Sequence, residues 1–217
     1  VLAVLTSTDV ERGGLKPLNP FITNNPNDGS PFRYIPQPLL AKDIVRFVGE
    51  PILLIVAETN NGALDALDLI EIEYSILPFV ISACDAIKNH SPRVTDALDD
   101  NIGLQWKTGN TDNIHLTFQS AAYVADLSLH NHRIITNPME PRGVVASWNA
   151  DNTRCTIFAS SQNIHVMRDS VSEMLGIRPK CVRFVAPDVG GGFGSKNFSY
   201  PEYALVAWAS RRIGRPT

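Results

Sequence analysis

Asp188-Val-Gly-Gly-Gly-Phe-Gly-Ser-Lys196 lies between a strand-like run, Val182-Arg-Phe-Val185, and a helix that Pro201 is placed to open. Three adjacent glycines remove the Cβ barrier to positive φ, so this backbone can fold tightly and present N–H groups to a ligand. Phosphate or pterin oxygens suit such a nest. Phe193, in its middle, needs an apolar surface, and either a flat cofactor or the protein core could provide one. Two familiar phosphate loops fail on the letters. A Walker A loop needs Gly-Lys followed by Ser or Thr, whereas the order here is Ser195-Lys196-Asn197. A dinucleotide fingerprint started at Gly190 or Gly192 puts Ser195 or Asn197 where its last glycine belongs. The residues alone leave two readings, a structural tight turn and a ligand-cradling loop.

The chain around the loop reads as strands and helices in alternation. Strands are expected over residues 123–130, 143–149 and 153–160, with Asn149-Ala-Asp-Asn152 as a turn. A helix should cover 165–175 with Val166, Ser170, Val171, Met174 and Leu175 inward and Gly176 as its stop. Residues 182–185 form the next strand. The closing helix, 202–213, has Pro201 at its first position, Gly214 at its end and Pro216 beyond.

Nearer the start, Asp43-Ile-Val-Arg-Phe-Val48 and Ile52-Leu-Leu-Ile-Val-Ala57 read as strands parted by Gly49-Glu-Pro51. Thr59 or Asn60 can cap a helix over 63–69, and Ile70-Glu-Ile-Glu-Tyr74 alternates like a half-buried strand. Residues 7–42, rich in Pro, Asn and Gly, read as a long irregular segment. Residues 82–114 read as a polar linker, with Asp96, Asp99, Asp100 and Asp112 on a solvated face rather than around a metal. The expected architecture is α+β, a small unit over residues 1–112 followed by a mixed α/β unit over 113–217.

With 19 basic and 22 acidic residues, a net charge of −3 argues against a general nucleic-acid binder. No apolar run approaches the ~18 residues of a membrane span, and no secretory signal opens the chain, so a cytoplasmic protein is expected. Cys84, Cys155 and Cys181 lack the spacing of a disulfide framework, zinc site or iron–sulfur site. His130, His132 and His165 are read as non-ligands. Arg211 and Arg212 suit the negative end of a helix dipole. Both ends look cut, and the chain reads as a piece of a longer one.

Gly-Gly-Gly-Phe-Gly followed by a small residue and Lys, after Asp-Val, resembles the molybdopterin loop of the xanthine dehydrogenase/aldehyde oxidase family of molybdenum hydroxylases. Ser160-Ser-Gln-Asn163 is similar to the family's Thr/Ser-Gln segment, and Gln162 precedes Phe193 by 31 residues, as the family spacing requires. Asn137-Pro-Met-Glu-Pro141 resembles a segment of the bacterial branch. Glu50-Pro-Ile-Leu-Leu-Ile-Val-Ala57 and Ile70-Glu-Ile-Glu-Tyr-Ser75 resemble the family's hammerhead α+β domain. Ser195 and Asn197 resemble carbon monoxide dehydrogenase-type relatives. The fold so implied is a hammerhead-type domain and the start of a molybdopterin-binding domain.

The resemblance implies an oxidoreductase that uses water-derived oxygen to hydroxylate or oxidise an aldehyde, an N-heterocycle or CO. It implies a molybdopterin-type molybdenum cofactor, in the cytosine dinucleotide form if the protein is bacterial, with 2Fe-2S clusters and FAD carried by partner subunits or domains. A dimer of heterotrimers follows from the same likeness. Carried over by position, Gln162 would face the metal's oxo group, with no protein atom bound to the metal. Phe193 and Gly194 would touch the cofactor by their backbone, Gly190, Gly191 and Gly192 would permit that approach, and Ser195 belongs to the same loop. Asn197 stands where purine hydroxylases carry a substrate-binding glutamate, a departure that puts purine recognition in doubt. Asn197 and Glu140 are the substrate-pocket candidates.

Simpler roles stand beside these. Gln162 could cap the helix starting near Asn163, although Asn163 is a fair cap in its own right; Glu140 could pair with Arg142, and Lys196 could support the loop or meet an anionic cofactor group. The family's general-base glutamate would lie beyond Thr217, so this polypeptide alone is expected to be inactive. A catalytically idle scaffold or interaction fragment, and a nucleotide-binding module, are the competing readings.

Overall fold

In the computed structural model, which describes residues 1–25, 29 and 31–217, the element order is β1 (Ala3–Leu5), α1 (Ser7–Arg12), β2 (Leu54–Val56), α2 (Asn60–Asp68), α3 (Ala83–Ala86), α4 (Thr111–Ser120), β3 (Val144–Trp148), β4 (Cys155–Ala159), α5 (Ile164–Met174), β5 (Val182–Val185) and α6 (Pro201–Ile213). The fold is α+β, as expected. β1 and β2 pair antiparallel. β3 and β4 are also antiparallel, and β5 joins β4 in parallel after the α5 crossover. The row Ala146–Ile157–Phe184 runs across the three strands in register and is buried throughout. Alternation supplies this face, since every second side chain of a strand points the same way. α5 packs against β5 and α6 against β3.

The five elements after Gly143, β3, β4, α5, β5 and α6, fall where pattern and punctuation put them. Asn163 Oδ1 accepts from Val166 N at 3.3 Å to cap α5. The buried face of α5 is Met167, Val171, Ser172 and Met174, so Val171 and Met174 are inward as expected, while Val166, Ser170 and Leu175 are only half-buried. Gly214 closes α6 at φ 68°, and a Cβ there would meet nothing within 4 Å. Gly214→Ala therefore isolates the left-handed backbone penalty. We expect it to cost about 1 kcal/mol in urea unfolding, with the slope unchanged.

Three expected strands do not form. Residues 43–48, 70–74 and 123–130 carry no strand hydrogen-bond ladder, and Phe47, Val48, Ile72, Tyr74, Tyr123, Leu127 and Leu129 are exposed. Alternation marks a face for burial, but a strand exists only where a second edge pairs with it. The polar linker holds two helices, α3 and α4, and α4 runs across the expected junction at 112/113. Its cap is Asn110, whose Oδ1 accepts from Asn113 N at 3.2 Å. In that linker Asp96 pairs with Arg93 and Asp100 with Arg33.

The segment from 7 to 42 begins with α1 rather than irregular chain. Asp9 Oδ2 accepts from both Thr6 N and Thr6 Oγ1, a helix-start arrangement present in the letters Thr6-x-x-Asp9. Bridges join Leu18 to Gln37 and Asn24 to Pro31; Pro26, Asn27, Asp28 and Ser30 of the Pro/Asn-rich stretch lie outside the described residues. This segment docks on the later elements. Lys16 N donates to Met174 O at 2.8 Å, Asn19 Nδ2 to Glu173 Oε1 at 2.6 Å, and Arg212 approaches Asp9 at 3.5 Å. One core results: Leu5, Val10, Leu39, Leu40 and Val56 share a buried cluster with the sheet, α5 and α6. Among the described residues no helix is long and apolar enough to cross a membrane.

Candidate functional site

β4 ends at Ala159, and the turn that follows leaves Gln162 one residue ahead of the α5 cap. Of the two expected caps, Asn163 does the capping and Gln162 does not. Gln162 spans to the Gly-rich loop instead. Its N–H donates to Lys196 O at 3.0 Å, while its Oε1 accepts from Gly194 N at 3.1 Å and Lys196 N at 3.3 Å. Gly192 lies directly beneath this side chain, where a Cβ would sit 2.5 Å from Oε1 and 2.6 Å from Cδ.

A second clamp holds the loop's other end. Glu140 N donates to Gly190 O at 3.2 Å, and Gly190 N returns a bond to Glu140 Oε2 at 2.8 Å. The same oxygen accepts from Lys196 Nζ at 2.7 Å, and the Lys196 side chain is wholly buried. A buried ammonium is tolerable only with such a partner. Glu140 thus pairs with Lys196 and not with Arg142, which lies over the Tyr200 ring at 3.8 Å and reaches Glu202 at 3.4 Å. A Cβ on Gly190 would fall 2.5 Å from the Cβ of Glu140. Glycine at 190 and 192 therefore makes room for two side chains of this chain, where the expectation had been room for a ligand.

Hydrogen bonds from Lys196 and from Gly190 N hold the Glu140 carboxyl below its ordinary value of 4.5. Ser160 Oγ, near that carboxylate but outside hydrogen-bonding geometry, is buried without a partner. A depressed carboxyl contributes stability that is complete above the ordinary value and lost as pH falls through the depressed one. Hydrogen-exchange protection at the Gly190 amide, corrected for intrinsic rate, should accordingly hold from neutral pH down to about 4.5 and fall away in more acid solution. In Glu140→Gln that step should disappear; an unchanged step would assign it to another group.

Between the clamps the backbone turns sharply. Gly191 and Gly194 have φ of 93° and 89°, and Phe193 itself is left-handed at 50°. A bulky residue held there costs on the order of 1–3 kcal/mol. Its ring is nonetheless 73% exposed, so the strain is not repaid by burial in this chain. Ser195 turns inward, with N and Oγ both donating to Gly192 O, and the Tyr200 hydroxyl donates to Ser195 O. Among the described residues the N–H groups of Gly191, Gly192 and Phe193 donate to no protein acceptor. Three successive unspent donors beside an exposed aromatic ring form a cradle for an acceptor-rich, partly flat group.

The structure thus gathers Gln162, Glu140 and residues 190–196 into one cluster. Asn197 is exposed and faces a separate cavity beyond the loop. The burial of Lys196 and its pairing with Glu140, 56 residues away, went unforeseen; the stiff Pro138-Met-Glu-Pro141 frame was the available hint. His130 and His132 stack on each other at 4.4 Å, and among the described residues no three His, Cys, Asp or Glu converge on a metal-sized space. Cys155 is buried in β4, which pushes its thiol up to about 12.

Comparison with known proteins adds the context. Residues 94–217 match the model of the molybdopterin cofactor-binding domain, and residues 1–78 that of the aldehyde oxidase and xanthine dehydrogenase a/b hammerhead domain. The chain is 35% identical over 83% of its length to the nicotine 6-hydroxylase large subunit of Paenarthrobacter nicotinovorans, covering 22% of that protein. It is 29% identical over its full length to the carbon monoxide dehydrogenase large chain of Afipia carboxidovorans, covering 27% of it. Quinoline 2-oxidoreductase from Pseudomonas putida 86 superposes with a TM-score of 0.83 at 32% identity, over 99% of this chain and 26% of that one. The chain spans about a quarter of the length of these relatives.

Proposed function

The chain belongs to the molybdopterin cofactor-binding domain family, and on that footing we propose that residues 190–196 with Gln162 form one wall of the molybdenum cofactor site of a hydroxylase-type oxidoreductase. The observation that carries the reading is the set of unspent N–H groups at Gly191, Gly192 and Phe193, offered beside a strained and exposed Phe193. These residues fit the pterin part of the group, which has acceptor atoms for the amides and a flat face for the ring. When bound, the cofactor supplies Lewis acidity and the two-electron change needed to add water-derived oxygen to a carbon.

The chain's own residues position and exclude. Gln162 fixes the loop through Oε1, and its amide nitrogen would help hold the cofactor as a hydrogen-bond donor. Lys196 is spent on Glu140 and is no proton acceptor. Glu140 in turn is held as a carboxylate by two donations to its Oε2, from Lys196 Nζ and Gly190 N, while its own backbone N–H donates to Gly190 O. Lys196 and Glu140 are occupied with each other, so neither is proposed as the general base. The hammerhead-like unit is taken as 1–112 and the cofactor unit as 113–217. Partner subunits are supported by likeness to relatives that are a large chain and a complex subunit; a cytosine dinucleotide cofactor, 2Fe-2S clusters and FAD on those partners, a dimer of heterotrimers and a cytoplasmic location complete the proposal on the family resemblance alone.

The test is molybdenum per polypeptide, measured on the full-length assembly that carries this chain, together with release of a fluorescent pterin on oxidation. About one metal and one pterin per chain are expected. Absence of both, with saturable ATP or NAD binding in their place, would transfer the loop to a nucleotide.

A further inference from the structure

Residues 197–199 line a cavity of about 500 Å³ whose other walls are α5 and residues 18–21, 35 and 37. Its apolar lining is aromatic and aliphatic: Phe21, Phe198, Ile35 and Val166. Phe21 is 69% and Phe198 55% exposed, so both rings have faces free to meet a ligand. Its charged lining is of one sign. Asp169 and Glu173 contribute carboxylates from one face of α5, and among the described residues no Lys, Arg or His lines the space.

The two acids differ. Asp169 is matched by its neighbour Arg168 at 2.7 Å. Glu173 has no cationic partner among the described residues, and its Oε1 accepts only from the neutral Asn19 amide at 2.6 Å. An unmatched carboxylate among aromatic faces attracts cations by both Coulomb and ring-quadrupole terms. Ser199 Oγ, buried with no hydrogen-bond partner, and Asn197 add polar atoms at the end nearest the loop.

We propose that this cavity receives an organic ammonium cation with an apolar body, its charge beside Glu173 and its body against Phe21, Phe198 and Val166. This rests on the cofactor reading above only for its meaning: a substrate so bound enters the site past Asn197, three residues on from Gly194. The protein therefore selects basic amines, and the neutral or anionic members of the same ring class are its poorer ligands.

The measurement is equilibrium binding, by calorimetry or NMR, of phenyltrimethylammonium and of its uncharged isostere tert-butylbenzene to the purified protein. The cation should bind about tenfold more tightly, as one partly screened charge and a cation–π contact predict. Glu173→Gln keeps an oxygen for Asn19 and should erase that preference while leaving the isostere's affinity unchanged. Phe198→Ala, a second and half-exposed position, should weaken the cation severalfold. Equal affinities for the two probes, a preference that survives Glu173→Gln, or no saturable binding of either would overturn the inference. Molybdenum content, measured on the same samples, separates the two readings. A protein that holds the metal without cation preference loses only the cavity's role; one with the preference but no metal loses only the cofactor wall.

Discussion

Gly190→Ala should reduce molybdenum and pterin per polypeptide by at least about tenfold, the largest loss of any single substitution in the loop. The added Cβ would lie 2.5 Å from Glu140 Cβ, an atom fixed directly to the backbone. Pro138 and Pro141 stiffen that backbone on both sides, so it cannot swing aside cheaply. Relief must come from moving the loop itself, with loss of the paired bonds between residues 140 and 190 and of the Lys196 contact. The buried Lys196 ammonium is then left without its counter-charge.

Gly192→Ala makes a useful contrast. Its Cβ would collide with the far end of Gln162, a flexible side chain that can rotate away. The cost is two hydrogen bonds to the loop, about 1–3 kcal/mol together. In a Gln162→Ala background the same change should cost almost nothing, a strong non-additivity for a pair in contact. Cofactor content in Gly190→Ala equal to that of the parent, or additive effects at 162 and 192, would mean that the clamps do not hold the loop in shape.

How far the letters reach is visible in these same residues. β3, β4, α5, β5 and α6 were legible because each has both a buried period and a terminator: the Asn149–Asn152 turn, Asn163, Gly176, Pro201 and Gly214. Residues 43–48, 70–74 and 123–130 have the period of a strand but no neighbour to pair with, and a period says nothing about neighbours. α4 went unseen because its apolar residues, Ile114, Leu116 and Phe118, alternate like a strand and all stay exposed. At the site, the glycines themselves showed only a tightly folding loop, and its cofactor class came from the resemblance of that run, with its spacing to Gln162, to a known family. What the glycines accommodate could not be read. Glu140 and Gln162 reach them only after the chain has folded, and the Arg142 two residues from Glu140 was the obvious but wrong ion-pair partner.

Trp208→Ala should destabilise the whole chain by about 3–5 kcal/mol, the cost of emptying a large aromatic site in a packed core. For a chain of this length that corresponds to a fall in Tm of about 10 °C. α6 is buried over most of its circumference, with Tyr203, Ala204, Leu205, Ala207, Trp208 and Ala209 all inside. Trp208 is the residue against which the first segment closes. A Cβ on Gly13 would lie 2.8 Å from its ring nitrogen, and Arg212 caps the ring at 5.6 Å while reaching Asp9. Loss of the ring therefore does two things at once. It opens the cluster that joins Leu5, Val10 and Val56 to the sheet, and it frees α1 from α6. If the two sequence units share this one core, the parent unfolds in a single transition and the variant unfolds in a single earlier one. Limited proteolysis should then cut first near Gly13 and Gly14, at the seam that Trp208 had sealed. Two separated transitions in the parent, with only the second moved by Trp208→Ala, would instead make the units independent and confine the effect of the ring to the sheet and α6.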